Sequence, residues 1–319
     1  MSLYRKYRPK TWSDVIGQDH IVKTLQNQLK NGAPNHAYLL CGTRGTGKTS
    51  IAQIFARAVT DNNPFAQGID IIEIDAASNN RVEDVRDLIE KTKYPPTHSK
   101  YKVYIIDEVH MFSNSSFNAF LKTLEEPLPH VIFILATTEP NKLPKTILSR
   151  VLRFDVRPVS TELLVKSVEK IFKSENITAT PEALKLIAEA GNGSVRDTLS
   201  TAEAVMSYNK DITESSVTLV LGKLDTKLLN TLLDAILAKD TKTLDITLQT
   251  ISTSSVNLNT VIVDILKLLK QRFLSRGDNL SPVKVLEVFK IFAELEMSIK
   301  TALNPQAMFE GACIIATGV

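Results

Sequence analysis

The chain has 319 residues, 43% hydrophobic and 23% charged, with 38 basic and 35 acidic side chains and a net charge of +3. This is the composition of an ordinary globular protein of two or three domains, and its low aromatic content suits a helix-rich α/β chain better than a β-sandwich. The charge balance permits a nucleic-acid partner without requiring one. Cys41 and Cys313 are the only cysteines, so a disulfide framework and a cysteine zinc site are excluded. No apolar run spans a membrane and no signal-peptide core opens the chain, so a soluble protein of a reducing compartment is expected.

In chain order, residues 1–18 form a basic segment with interleaved aromatics, which read alone fits a solvated arm. Asp19 to Lys30 has a helical apolar face at Ile21, Leu25 and Leu29, stopped by Asn31-Gly32. Ala37–Cys41 reads as a strand and is followed by Gly42-Thr43-Arg44-Gly45-Thr46-Gly47-Lys48-Thr49, which matches the phosphate-binding P-loop. Its glycines allow the backbone to approach phosphate oxygens, and successive N–H groups form an anion nest. The helix opening near Lys48-Thr49-Ser50 adds its positive end. Lys48 is suited to the β- and γ-phosphates, and the Thr49 hydroxyl to Mg²⁺.

Thr60–Gly68 reads as a loop and Ile69–Ile74 as a strand. Ala77-Ser78-Asn79-Asn80 offers caps to a helix over 81–93, broken by Pro95-Pro96. Lys102–Glu108 is the next strand, Ser113–Glu126 a helix, and Val131–Ala136 a strand closed by Thr137-Thr138. Nearly all-apolar strands alternating with helices predict a parallel sheet covered on both faces. Beyond Pro158 strand signals vanish. Helical patterns run over 160–174, 181–190, 195–208 and 213–220, then 225–252, 257–276, 281–302 and 305–317. The fold class is therefore a P-loop α/β domain over 1–158, a helical domain over 159–221 and a second all-α domain over 222–319.

Asp107 and Glu108 follow a buried strand and emerge at its carboxyl end, where α/β sheets bind ligands. Asp107 is suited to hold Mg²⁺ through water, and Glu108 to orient or deprotonate the attacking water. Thr137 and Thr138 offer hydroxyls at the next strand end. Arg150 is a candidate arginine finger for a neighbouring subunit, and Arg196, at a helix start, a candidate nucleotide contact. Read alone, each arginine also fits a solvated surface residue.

Taken together, these residues resemble the bacterial clamp-loader AAA+ ATPases. Tyr7-Arg8-Pro9, Asp14-Val15-Ile16-Gly17-Gln18, Glu73-Ile74-Asp75-Ala76-Ala77-Ser78, Asp107-Glu108-Val109-His110-Met111, Thr123-Leu124-Glu125-Glu126-Pro127 and Leu148-Ser149-Arg150 carry the likeness, which is dense over the first 220 residues. The resemblance implies an AAA+ domain, a helical lid carrying sensor 2 and a helical collar. It implies that Thr138 is sensor 1, Arg150 the trans-acting finger and Arg196 the sensor-2 arginine. Val15 and Ile16 would pack on adenine, with Tyr7, Arg8 and Pro9 beside them.

The same resemblance implies an ATP hydrolase using Mg²⁺, acting in a cytoplasmic, nucleoid-associated DNA polymerase III-type complex, with no polymerase activity of its own. Its implied partners are other loader subunits and copies of itself in a ring-like pentamer, the sliding clamp, and primer–template DNA bound without sequence preference. Arg81 and Arg86 are candidate DNA-phosphate contacts; a solvated helix with an Arg86–Glu90 pair fits them as well. Two departures stand out: Thr60–Gly68 is short and lacks the family's four-cysteine zinc module, so no zinc is expected, and the usual Ser-Arg-Cys reads Ser149-Arg150-Val151. The sequence ends at Val319, about where the resemblance implies a collar would end; a tail for helicase or polymerase binding is outside it, whether by truncation or because this is a short form. Two other readings stay open: a nucleotide-binding scaffold without turnover, and another DNA-associated AAA+ motor.

Overall fold

The computed structural model describes residues 2–254, 256–275 and 282–318. By its internal contacts the chain divides into two compact units, Met1–Glu203 and Ala204–Val319.

In the first unit, five strands form a parallel sheet: β1 Ala37–Cys41, β2 Ile71–Asp75, β3 Lys102–Asp107, β4 Val131–Thr137 and β5 Leu152–Asp155, in the order β2-β3-β4-β1-β5. Alternation divides the strand side chains between two cores. Tyr38, Leu40, Val103, Ile105, Ile132 and Ile134 pack with α2 (Asp19–Lys30) and α3 (Lys48–Val59). Leu39, Tyr104, Ile106, Phe133 and Leu135 pack with α4 (Val82–Thr92) and α5 (Asn114–Glu125). Burial on both faces is why these strands read as unbroken apolar runs. A four-residue helix α1 (Leu3–Lys6) opens the chain, α6 (Lys145–Leu148) precedes β5, and α7 (Thr161–Ser174), α8 (Pro181–Ala190) and α9 (Val195–Tyr208, of which residues up to Glu203 belong to this unit) follow it.

The structure corrects several expected boundaries. β5 was absent from the sequence reading because it is an edge strand of four residues with alternating exposure. β2 begins at Ile71, because Asp70 is fully buried and its carboxylate accepts from Thr97 N (2.7 Å), His98 N (2.6 Å) and the Ser99 hydroxyl (3.1 Å). The segment Ala77–Asn80 does not cap α4. It forms a turn on Asp75, whose side chain accepts from Ala77 N and the Ser78 hydroxyl, while Asp84 accepts from Arg81 N at the helix start. Strand structure also continues beyond Pro158, as two-residue segments at Thr178–Ala179 and Asp211–Ile212.

Apart from the Asp211–Ile212 segment, the second unit is built of helices: α10 (Glu214–Val220), α11 (Thr226–Ala238), α12 (Thr241–Thr253), α13 (Leu258–Ser275), α14 (Pro282–Ser298) and α15 (Pro305–Thr317). The continuous helix expected over 225–252 is two helices. Lys239 adopts a left-handed φ of 62°, and Asp240 restarts the chain by accepting from Lys242 N and Thr243 N. A single core containing Leu232, Ile236, Leu248, Ile262, Ile265, Phe292 and Phe309 joins α11 to α15. The expected helix ends at 276 and 281, and Val319, lie outside the described residues. Among the described residues no helix is long and apolar enough to cross a membrane.

Candidate active site

β1, β3 and β4 end at one edge of the sheet, and their register places Cys41 beside Thr137. The P-loop leaves β1 there, with Gly42 N donating to Thr137 O at 3.2 Å. Gly47 stands at the N-cap of α3 with φ 106°, a conformation that suits glycine. Buried Thr46 braces the loop by donating to Thr43 O at 2.9 Å, whereas Thr43 and Arg44 are exposed. Lys48 is also buried, and its ammonium donates to the carbonyls of Gly42 (2.8 Å) and Thr43 (3.0 Å). Burial lowers its pKa, and the nearby Glu108 and Asp107 carboxylates oppose that shift.

The Thr49 hydroxyl donates to Asp107 Oδ2 at 2.7 Å, uniting the two residues expected to hold Mg²⁺. The donor set of one hydroxyl and one carboxylate fits that hard cation, which retains several waters at such sites. Glu108 follows in the left-handed region, φ 49°, which costs an L-residue about 1–2 kcal/mol. This turn aims its carboxylate across to β4, where Oε2 accepts from Thr138 N (3.1 Å) and Thr138 Oγ1 (3.0 Å). Thr138 therefore meets the candidate base directly, and Thr137 is buried in the strand.

The sequence reading missed two residues here, His110 and Glu139. His110 Nδ1 lies 3.0 Å from Thr137 Oγ1 and 3.4 Å from Glu108 Oε2, and Nε2 lies 3.4 Å from Glu139 Oε1. The available signal was the spacing Asp-Glu-x-His, but only the 3-10 turn Val109–Met111 brings the imidazole back beside Glu108.

Arg196 lies at the start of α9. Its amide donates to Gly45 O at 3.3 Å, and its guanidinium carbon sits 4.8 Å from the Tyr4 ring centroid. A Cβ on Gly45 would fall 2.0 Å from Ser194 Oγ, so glycine lets this turn sit against the P-loop. In the N-terminal segment, Lys6 and Tyr7 bond Glu175, and Arg8 Nε reaches Ser50 Oγ at 3.5 Å. Pro9 is half-buried. Val15 packs with the α2–α3 core, and Ile16 with Val159, Leu164 and Ala188. Buried Gln18 fastens this stretch through paired bonds to the Arg157 backbone.

Arg150 is not gathered into this group. Its guanidinium bonds Glu125 (2.7 Å), Thr146 O (2.7 Å) and Ser149 Oγ (3.1 Å). Arg81, at the N-cap of α4, and Arg86, on α4, are both exposed. The pair read for Arg86 is replaced, since Glu90 binds Lys93 at 2.6 Å.

This parallel sheet, with a P-loop, a hydrogen-bonded Thr49–Asp107 pair and a Glu108–Thr138 pair at one edge, is that of an AAA+ P-loop ATPase domain. Solved structures agree in fold: the Thermotoga maritima RuvB Holliday junction branch migration motor superposes with TM-score 0.56 at 20% identity, covering 73% of this chain and 80% of that one. Residues 17–160 match the family described as DNA polymerase III, delta subunit, and residues 164–207 match the DNA polymerase III clamp loader subunit, ATPase lid domain. The DNA polymerase III subunit gamma of Buchnera aphidicola subsp. Baizongia pistaciae is 42% identical over 286 residues, covering 84% of this chain and 77% of the relative. The subunit tau of Escherichia coli K12 is 48% identical over 240 residues, and that of Bacillus subtilis 168 is 49% identical over 227. The chain belongs to the DNA polymerase III subunit gamma/tau family. It matches 37% and 40% of the length of those two tau relatives.

Proposed function

We propose that this chain is an ATP-hydrolysing motor subunit of a clamp loader, which helps open a sliding clamp and load it onto primed DNA. The observation that carries this reading is the meeting of Lys48, Thr49, Asp107, Glu108 and Thr138 at one sheet edge, while Arg150 is held by its own chain at Glu125. In this reading the anion nest and the α3 N-terminus bind the phosphates of ATP. Lys48 moves from the loop carbonyls to the β- and γ-phosphates. Thr49 and Asp107 hold Mg²⁺, which neutralises charge on the phosphate oxygens when bound. Glu108, anchored through Oε2, orients the attacking water and takes its proton at Oε1. Thr138 reports the γ-phosphate to Glu108, and Arg196 approaches it from beside Gly45. Val15 and Ile16, with Tyr7, Arg8 and Pro9, border the adenine.

Arg150 completes the site of a neighbouring subunit, where such a finger is worth about 10³–10⁵ in rate. The partners are then further loader subunits and copies of this chain in a ring-like pentamer, the clamp, and a primer–template bound through phosphates. A cytoplasmic, nucleoid-associated location follows from that role. The domains are 1–158 for ATPase, 159–221 for lid and 222–319 for collar. Arg81 at the N-cap of α4 and Arg86 on it are the proposed phosphate contacts; Glu83 and Asp84 in the first turn offset the positive end of the helix dipole and leave the arginines to supply the attraction.

The test is ATPase activity with other loader subunits, clamp and primed DNA added stepwise, beside Arg150→Ala. Stimulation only by the full set, lost in the variant, is expected. High activity of the lone chain, indifferent to clamp and to Arg150, refutes the intersubunit reading and favours another AAA+ motor. Nucleotide binding without turnover in the full set identifies a scaffold.

A further inference from the structure

His110 lies beside the proposed hydrolytic base, and its ring is buried at 7% side-chain exposure. Nδ1 faces the ends of both β3 and β4, and Nε2 faces the residue that follows the β4 end by two. Nδ1 meets Thr137 Oγ1 at 3.0 Å and Glu108 Oε2 at 3.4 Å; Nε2 meets Glu139 Oε1 at 3.4 Å. Thr137 Oγ1 also accepts from Glu139 N at 3.0 Å. Glu139 is held in turn by Lys142 at 2.9 Å. The imidazole thus ties the carboxyl end of β3, which carries Glu108, to that of β4, which carries Thr138.

We propose that His110 is a positioning residue for ATP hydrolysis: through Nδ1 it holds Glu108 and the Thr137–Thr138 strand end in one geometry, with Glu139 steadying the ring from Nε2. This proposal rests on the ATPase reading above. The contacts from Thr138 N, Thr138 Oγ1 and His110 Nδ1 all fall on Oε2 of Glu108. One carboxylate oxygen is thereby anchored and the other directed to the water. A glutamate side chain has three rotatable bonds, and a general base must sit within hydrogen-bond reach of the proton it takes. Glu108 leaves its strand through a left-handed turn, so its backbone does not continue the β3 ladder. The ring and Thr138 supply the restraint that the ladder would otherwise give.

The position of the contact separates this role from simple packing. Asparagine at 110 places an amide near the Nδ1 position; glutamine places it near Nε2. In the assembled loader with clamp and primed DNA, His110→Ala is expected to lower kcat about tenfold or more, a part of the roughly 10²–10⁴ that a base supplies, with KM changed less than about twofold. His110→Asn should stay within about threefold of the natural protein, and His110→Gln should resemble His110→Ala. The double variant Glu108→Gln with His110→Ala should be no slower than Glu108→Gln alone, because the histidine acts through that carboxylate.

Affinity for a non-hydrolysable ATP analogue and the melting temperature accompany each variant. If the alanine variant fails to fold, the contrast between the asparagine and glutamine variants decides. An active natural complex in which His110→Asn and His110→Gln are equally active overturns this inference alone. So does His110→Ala slowing the Glu108→Gln complex by the same factor as the natural one. A natural complex with no turnover overturns the ATPase reading, and this inference with it.

Discussion

Gly45→Ala tests whether the P-loop and the start of α9 are one mechanical unit. Gly45 has φ 77°, where an L-residue costs about 1–2 kcal/mol. The added methyl would lie 2.0 Å from Ser194 Oγ and 3.1 Å from Arg196 Cβ. Overpacking of that kind costs about 1–3 kcal/mol, so the total is about 2–5 kcal/mol. Ser194 cannot simply turn away, because its hydroxyl accepts from Asp197 N at 3.2 Å at the helix start. Ser194→Ala alone forfeits that cap, about 1 kcal/mol. In the double variant the severe overlap is gone and the backbone strain remains, giving a favourable coupling of about 1–3 kcal/mol. The assay is a cycle of the two single variants and the double variant, measured by thermal unfolding and by binding of a fluorescent ATP analogue. Additive losses within about 0.5 kcal/mol would show that Gly45 and Ser194 do not touch in solution, and would remove the structural basis for placing Arg196 at the nucleotide.

Asp70→Asn should destabilise the 94–100 segment by about 2–4 kcal/mol, since the carboxylate accepts two short amide bonds and a hydroxyl bond in a buried place; amide exchange at Thr97 and His98 reads it. Burial pushes the Asp70 pKa up, but these donors outweigh it and hold it below the usual value, so its contribution is present above about pH 4 and is lost as pH falls through the depressed folded value. The aspartate protein should therefore show an acid-dependent loss of protection that the asparagine variant lacks. Thr49→Val removes the hydroxyl that bonds Asp107, and should reduce the Mg²⁺-dependent part of ATP-analogue affinity about tenfold, with chelation of Mg²⁺ weakening the natural protein in the same titration. Arg81→Ala with Arg86→Ala should weaken DNA stimulation of the ATPase and its salt dependence while sparing ATP binding; unchanged stimulation would remove α4 from the proposed DNA surface.

Much of the first unit is legible in the residues because its constraints are local. A glycine-rich loop between an apolar strand and a helix has few uses, and strands buried on both faces read as apolar runs whatever their order. The P-loop, Asp107 and Glu108 were legible for that reason, whereas Thr138 was singled out from Thr137 only by the family resemblance. Tertiary structure decided what depends on contacts between distant segments. β5 is a strand because β1 offers it a paired edge, and Asp70 ends a loop because the amides of Thr97 and His98 and the hydroxyl of Ser99 bond it. The 225–252 segment divides at Lys239 because a left-handed residue and an aspartate cap interrupt an apolar rhythm that continues through both helices. His110 is the sharpest case: its role depends on a left-handed Glu108 and on the hydroxyl of Thr137 on another strand, and no spacing within one segment records a meeting of two strand ends.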